Sequence, residues 1–398
     1  MTRALTWVKN NFYLFGTTAF PGIHKIVLLF VVNTVYSLNA TADFISDIFI
    51  LYLLGYLTVF NWANFILSDM LKLAESQQRT FFGKIFTLSL MVNISLILLV
   101  YVFFSWHWLT DFFGFSFLLI AWSYQQLWRH YMIAKVRYRQ LFYADFVMLL
   151  LTVISILFSN SVGLNLYFVM SVPALVVPML FDFLPFCFPN LKWNSRIFSR
   201  VINYTLINLS TGGVQLIFAP LSHQLLSAEF TRMIGFTNNL GSMALLLPRA
   251  LAYQYLPALS SNIRMGLLHF QSVYVEFSRK INLLVFAMLI LGIVFVPVLF
   301  FMIGESSIMV VLIGLVVYVN LLLGQLSVPA SNVLVVQSQS GRLLRINIIS
   351  FFVIIGQICC LLLLDIESSS KMLAMLAFSI LVGLMRYIYL VMYLKRTL

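Results

Sequence analysis

Ionised side chains are scarce in this 398-residue sequence: Asp, Glu, Lys and Arg together make up 9% of it. A water-soluble chain carries roughly a quarter, so too little charge is present to solvate a globular surface. That excludes a soluble enzyme and a disordered chain. Acids are scarcer than bases, 12 against 24. The three cysteines, Cys187, Cys359 and Cys360, have no metal-ligand spacing and sit in or beside apolar runs. They read as reduced, small apolar residues, which excludes a disulfide scaffold. The five histidines (His24, His107, His130, His223, His269) show no metal-ligand pairing. A Gly-rich phosphate loop is missing too, so neither ATP hydrolysis nor a cofactor or metal is expected. Basic residues do not cluster on a water-exposed element, so nucleic acid is not an expected partner.

What remains is apolar. The hydrophobic share is 62%, the aromatic share 16%, and the mean hydropathy +1.00. A bilayer core needs about 20 mostly apolar residues per helix, and apolar runs this long do not suit a barrel. The expected fold is an all-α polytopic membrane protein with twelve spans. The first six cover roughly residues 12–37, 44–67, 85–106, 112–134, 141–158 and 164–184. The second six cover roughly 201–224, 232–256, 281–303, 308–332, 346–364 and 372–393. No small-residue cleavage site follows the basic N-terminal stretch, so no cleaved signal is expected.

Basic residues sort by connector. Arg3 and Lys9 precede span one; Lys72, Arg79 and Lys84 follow span two; Lys135, Arg137 and Arg139 follow span four. Lys192, Arg196 and Arg200, then Arg264, Arg279 and Lys280, then Arg342 and Arg345, and finally Lys395 and Arg396 continue the pattern. The opposite connectors hold Lys371 and gather Asp43, Asp111, Glu229, Glu305 and Glu367. Both termini and the basic loops are therefore expected in the cytoplasm, for a multi-pass protein of a cytoplasmic membrane. The outer loops are very short and leave no room for a soluble catalytic domain. An enzyme is not expected.

The connector around Pro185 to Asn194 divides the chain six plus six, giving lobes of residues 1–190 and 191–398. Leu38-Asn-Ala opens the first outer loop and Leu226-Ser-Ala its counterpart in the second half. Two halves with both starts on one side are parallel repeats, a layout that places a cavity between two bundles. The local pattern is densest across spans seven and eight: Leu221-Ser-His-Gln-Leu-Leu-Ser-Ala-Glu229, Gly235-Phe-Thr-Asn-Asn-Leu240, Pro248-Arg-Ala-Leu and Leu256-Pro-Ala-Leu-Ser260. With these motifs and this topology, the chain resembles the polysaccharide transporter branch of the multidrug/oligosaccharidyl-lipid/polysaccharide exporter superfamily, and within it Wzx-type O-antigen flippases. The resemblance implies a cationic central cavity, an inner bacterial membrane and an undecaprenyl-pyrophosphate-linked glycan as partner, alongside membrane lipids and other polysaccharide-assembly membrane proteins. It also implies basic residues in spans one and eight, places that Lys25 and Arg249 match by span.

Ionised groups at bilayer depth are costly and usually face a bundle interior or a wet cavity. Lys25 sits halfway through span one, beside His24 and after Pro21-Gly22, beyond easy snorkelling reach. A place on a cavity wall and an ion pair with Asp47 are both compatible with it. Arg249 follows Pro248 in span eight, and either lines the cavity or snorkels. Arg386 in span twelve is a further candidate for the cationic cavity, although Lys395 nearby favours snorkelling. Gln125, Gln126 and Arg129 share a helix face suited to a wet wall, although Arg129 also fits an inner-end anchor. Asn208, Thr211 and Gln215 in span seven, with Asn238 and Asn239 in span eight, are dense enough to suggest a polar lumen, or else interhelical glue. Asn61, Trp62 and Asn64 make a similar patch late in span two. Asp145 and Asp182 read as helix-end acids paired with nearby bases, Arg137 and Arg139 being closest to Asp145. Asp47 with His24 is the candidate proton-coupling site. Prolines inside spans, Pro21 among them, free backbone carbonyls that neighbours or water must satisfy.

Together these features give the expected function: a flippase carrying an undecaprenyl-pyrophosphate-linked oligosaccharide, an O-antigen-like repeat unit, across the membrane by alternating access. A polymerase or ligase acting on the same carrier would need a large outer loop that is missing here. A small-molecule antiporter of the same fold is the remaining alternative, disfavoured by the basic lumen.

Overall fold

The computed structural model describes residues 2–70, 73–182, 195–248, 251–252, 255, 259, 267–302, 304, 307–337 and 339–397. Helix is the regular structure throughout these residues. Their contacts divide the chain into two compact units, Met1–Leu209 and Ser210–Leu398.

In the first unit the helices are α1 (Thr2–Val35), α2 (Leu38–Thr58), α3 (Phe60–Asp69), α4 (Glu75–Ser95), α5 (Ile97–Ser105), α6 (Phe112–Ala134), α7 (Tyr138–Val162), α8 (Leu166–Phe181) and α9 (Ser195–Asn208). The second unit holds α10 (Val214–Leu225), α11 (Ala228–Ala244), α12 (Leu267–Met302), α13 (Ile308–Leu323), α14 (Val328–Val336), α15 (Ser340–Leu363) and α16 (Ser368–Thr397). Among the described residues, eight helical stretches are long and apolar enough to cross a bilayer. The other runs expected to span are also helical where described. Of these, α6 carries Gln125, Gln126, Arg129 and His130 in its second half, and α8 is a shorter apolar helix.

Polar residues in the short loops act as helix caps. Asp111 at the start of α6 accepts from Phe113 N and Gly114 N, each at 3.1 Å. Asn165 caps α8 by accepting from Tyr167 N at 3.0 Å, and its amide donates to Asp111 Oδ2 at 2.7 Å. The two caps thus hold the starts of α6 and α8 together, satisfying amides that a helix cannot pair internally.

Helix α6 is the pivot of the first unit, packing against α2, α3, α4, α7 and α8, while α1 lies along α7. Its rings Tyr124, Trp128 and Tyr131 are buried with Phe82 and Phe86 of α4 and Met148 of α7. Outward-facing residues are apolar as well: Leu98 is 76% exposed and Leu180 72%. A chain that exposes such residues wholesale presents them to lipid.

Spans expected as continuous are interrupted, that at residues 85–106 by the break at Leu96 between α4 and α5. At Thr58–Val59 the break between α2 and α3 is filled by side chains: Ser89 donates its hydroxyl to Thr58 O, Asn61 Nδ2 donates to Leu57 O at 3.0 Å, and Trp62 N donates to Asn61 Oδ1 at 2.8 Å. An inserted side chain is a known cause of a kink without proline. A π-turn, Leu209–Gly213, separates α9 from α10, and a 3-10 turn, Gly324–Ser327, separates α13 from α14.

By contacts the chain divides at Leu209/Ser210. Helix α9, assigned to the C-terminal lobe from the sequence, packs on α3 and α2, and Asn61 Nδ2 donates to Thr205 Oγ1 at 3.0 Å. The connector at residues 183–194 lies outside the described residues.

A buried polar niche in the first unit

Four helices converge on a niche of about 40 Å³ in the first unit. Helix α1 brings His24 and Lys25, α2 brings Tyr52, α6 brings Trp122, Gln125 and Arg129, and α7 brings Asp145. Lys25 is half-buried, its Nζ standing 4.0 Å over the centre of the Tyr52 ring. That geometry is a cation–π contact, which strengthens as the cation is desolvated. Gln126 donates to Gln125 Oε1 at 2.6 Å, so two neighbouring amides share one rim. His24 Nε2 is buried and has no hydrogen-bond partner among the described residues.

Arg129 organises the niche. Its Nη2 donates to Asp145 Oδ2 at 2.9 Å and to the Thr17 carbonyl at 3.0 Å. The side chains of Arg129 and Asp145 are each only 7% exposed. Thr17 lies one helical turn before Pro21, and proline lacks the N–H that would otherwise bond that carbonyl. The guanidinium therefore satisfies the backbone acceptor that Pro21 leaves open, a requirement where water is excluded. One side chain ties α1, α6 and α7 together and carries charge at the niche.

This pairing corrects the sequence expectation. Asp145 was expected to meet Arg137 or Arg139; its partner is Arg129, on the preceding helix. The α6–α7 turn is tight, so residues at similar distances from it come level on antiparallel helices. Arg137 instead donates to Asp182 Oδ2 at 2.9 Å, and Arg79 to Asp182 Oδ1 at 2.9 Å. Asp182 is thus the helix-end acid held by bases that its position implied.

Asp47 does not line the niche. Its Oδ2 accepts from Tyr167 Oη at 2.5 Å and from Thr110 Oγ1 at 2.7 Å, with Thr110 N at 3.4 Å. The carboxyl bonds to α8 and the α5–α6 loop, so the expected pairings of Asp47 with Lys25 or His24 are replaced by hydroxyl donors. Asp47 Oδ1 is buried without a partner among the described residues.

The second unit has a polar centre of a different kind. Asn320 Nδ2 on α13 lies 3.1 Å from Ser379 Oγ on α16 and 3.3 Å from Gln215 Oε1 on α10. Asn238 and Asn239 on α11 are buried, and Asn238 Nδ2 lacks a partner among the described residues. Arg386 is half-buried on α16, two turns beyond Ser379 and on the same helix face. Its Nε also lacks a partner among the described residues. Asn208 ends α9, half-buried. Thr211 lies in the π-turn with its side chain outside the described residues, as is that of Asn64, and Arg249 lies outside them altogether.

Of the expected cavity residues, His24, Lys25 and Arg129 come together in the first unit, and Gln215 enters a network in the second. Tyr52, Trp122, Asn320 and Ser379 were missed. Asn and Ser in an apolar run carry no hint of their partners, and an aromatic ring in a span reads as lipid-facing until a cation is seen against it.

No protein-family model matches the chain, and no curated protein matches it in sequence. Its fold does have counterparts among solved structures. An inward-facing multidrug resistance MATE family transporter of the MOP superfamily superposes with a TM-score of 0.63 at 10% identity, over 97% of this chain and 94% of that one. The MATE transporter VcmN of Vibrio cholerae gives 0.62 at 13% identity, over 100% and 99%. Lipid II flippase MurJ, in an inward closed conformation, gives 0.61 at 12% identity, over 96% and 87%. At these identities the similarity is one of fold. The chain is a multi-pass membrane protein with the fold of these transporters and flippases.

Proposed function

We propose that this chain, sharing its fold with transporters of the MOP superfamily, is a flippase for a lipid-linked oligosaccharide. Its substrate would be an undecaprenyl-pyrophosphate-linked repeat unit of O-antigen type, moved across the bacterial inner membrane by alternating access, with both termini cytoplasmic. The observation that carries this reading is the first unit's niche, where Lys25 and Arg129 stand at the wall among amide and hydroxyl groups. A cationic group in a low-dielectric site is the chemistry that a pyrophosphate needs. Flanking amides such as Gln125 suit sugar hydroxyls. The fold of lipid II flippase MurJ supports the class of substrate.

The niche admits about three water molecules at roughly 10–15 Å³ each. A pyrophosphate therefore enters only when α1 and α6 part, which makes the niche a closed state of the binding site. The polyprenyl chain stays in lipid throughout.

The test is a strain lacking this chain. Complete lipid-linked repeat units should accumulate on the cytoplasmic leaflet while surface polysaccharide disappears. Wild type should restore export and Lys25→Ala should not. Units that reach the outer leaflet unpolymerised would defeat the flippase reading.

A second reading, a small-molecule exporter, draws on the MATE fold and on the buried carboxyl of Asp47 with its Tyr167 and Thr110 donors. It predicts unchanged glycan, altered drug sensitivity and loss of export in Asp47→Asn.

A further inference from the structure

In the second unit a cleft of about 640 Å³ opens between α12 and α16, within the range of sites that hold organic ligands. It exists because both helices pack against α13 and α14 and leave a gap between themselves. Its two ends differ in chemistry. Arg279, in the first half of α12, and Lys395, in the last turn of α16, are both exposed, with Tyr274 and Ser278 beside them. Further along α12 toward its other end the wall becomes Leu283 and Phe286, 60% and 63% exposed, faced by Val391. Phe286 lies two turns from Arg279, about 10 Å along the axis.

The cations are available for a ligand. Neither Arg279 nor Lys395 forms an ion pair among the described residues. The neighbouring Lys280 is already committed, its Nζ standing 2.6 Å from Glu276 Oε1 and 2.5 Å from the Tyr255 hydroxyl. No carboxylate lines the cleft among the described residues.

We propose that this cleft is a binding site for an anionic phospholipid of the leaflet nearest Arg279 and Lys395, its phosphate held by those two side chains and an acyl chain lying on Leu283, Phe286 and Val391. Charge complementarity selects this occupant. Basic pockets between membrane helices bind acidic headgroups, and apolar side chains exposed at bilayer depth take acyl chains. A second copy of the chain docked here about a twofold axis would set the same cations against each other. A free phosphate would leave the apolar wall uncovered. The proposal does not depend on which substrate the protein carries.

The experiment uses the full chain, purified in mild detergent and delipidated. Phosphatidylglycerol and phosphatidylcholine are titrated separately, with retained lipid read by native mass spectrometry and unfolding by a thermal-shift assay. Phosphatidylglycerol should be retained and should raise the unfolding temperature, and added salt should weaken the effect. The double variant Arg279→Ala/Lys395→Ala should bind it about thirtyfold more weakly, the loss expected for two cations near an anionic surface. Arg279→Lys/Lys395→Arg should keep binding, which separates loss of charge from loss of fold, and Lys280→Gln should bind as wild type. Equal retention of phosphatidylcholine would overturn the proposal. So would undiminished phosphatidylglycerol binding in the double alanine variant, or full stabilisation by inorganic phosphate alone.

Discussion

The two units solve the same problem, placing polar groups inside an apolar helical bundle, by different means. The first does it with charge: Arg129 and Asp145 pair at 2.9 Å, and Lys25 sits over Tyr52 a short distance along the same niche. The second does it mainly with neutral groups, Asn320 reaching Ser379 and Gln215, with Arg386 half-buried further along α16. The difference sets what each can lose. A neutral hydrogen bond between membrane helices is worth about 0.6 kcal/mol on average, whereas a buried charge stripped of its partner costs about 3–5 kcal/mol. Charge at depth also serves a purpose beyond cohesion, since a buried cation can hold an anion electrostatically.

The comparison breaks most visibly at the Arg129–Asp145 pair. Asp145→Ala should destabilise the protein by about 3–5 kcal/mol, because the guanidinium stays buried with only the Thr17 carbonyl to bond. Removing both charges, as Arg129→Met/Asp145→Leu, should recover most of that loss when thermal unfolding is followed in detergent. A double variant as unstable as the single would mean that satisfying the carbonyl behind Pro21 outweighs the ion pair.

Next in size is Lys25. Lys25→Ala should lower glycan export on the order of tenfold or more, the worth of one charge-assisted hydrogen bond, and Lys25→Arg should retain activity. Gln215→Ala in the second unit should leave export nearer to wild type in the same complementation assay. Equal losses from Lys25→Ala and Gln215→Ala would erase the functional distinction between the units.

Packing gives a smaller effect in the second unit. A Cβ added at Gly314 would collide with the Phe300 ring and meet Thr237 Oγ1 at 3.1 Å. Gly314→Ala should therefore cost about 1–3 kcal/mol through overpacking between α13 and its neighbours. The smallest change belongs to the neutral network: Asn320→Ala should lower stability by about 0.6 kcal/mol and at most about 1.7. A loss near that of Asp145→Ala would show the neutral network to be as demanding as the charged one.

Much of the candidate site was legible and part was not, for identifiable reasons. Lys25 announced itself because a cation midway along an apolar run has no route to either headgroup layer. Pro21 announced an open carbonyl, but not the side chain that fills it. Closeness in sequence points Asp145 to Arg137 or Arg139, whereas closeness in space gives it Arg129. The antiparallel turn between α6 and α7 offered the better rule, pairing residues by distance from the turn. Asp47 was assigned to its neighbouring helix when its donors come from Thr110 and Tyr167, 63 and 120 positions away.

The sequence by itself determined that this is an all-helical membrane chain and where its apolar runs lie. Burying backbone in lipid demands long apolar helices, and that demand is written in composition residue by residue. The tertiary structure decided where those helices break, at Thr58–Val59, Leu209–Gly213 and Gly324–Ser327. It also decided that α9 packs with the first unit and that Arg129 serves Asp145 and Thr17 together. Each of those outcomes depends on which side chain arrives from another helix to satisfy a polar group, and no local pattern encodes an arrival from elsewhere in the chain.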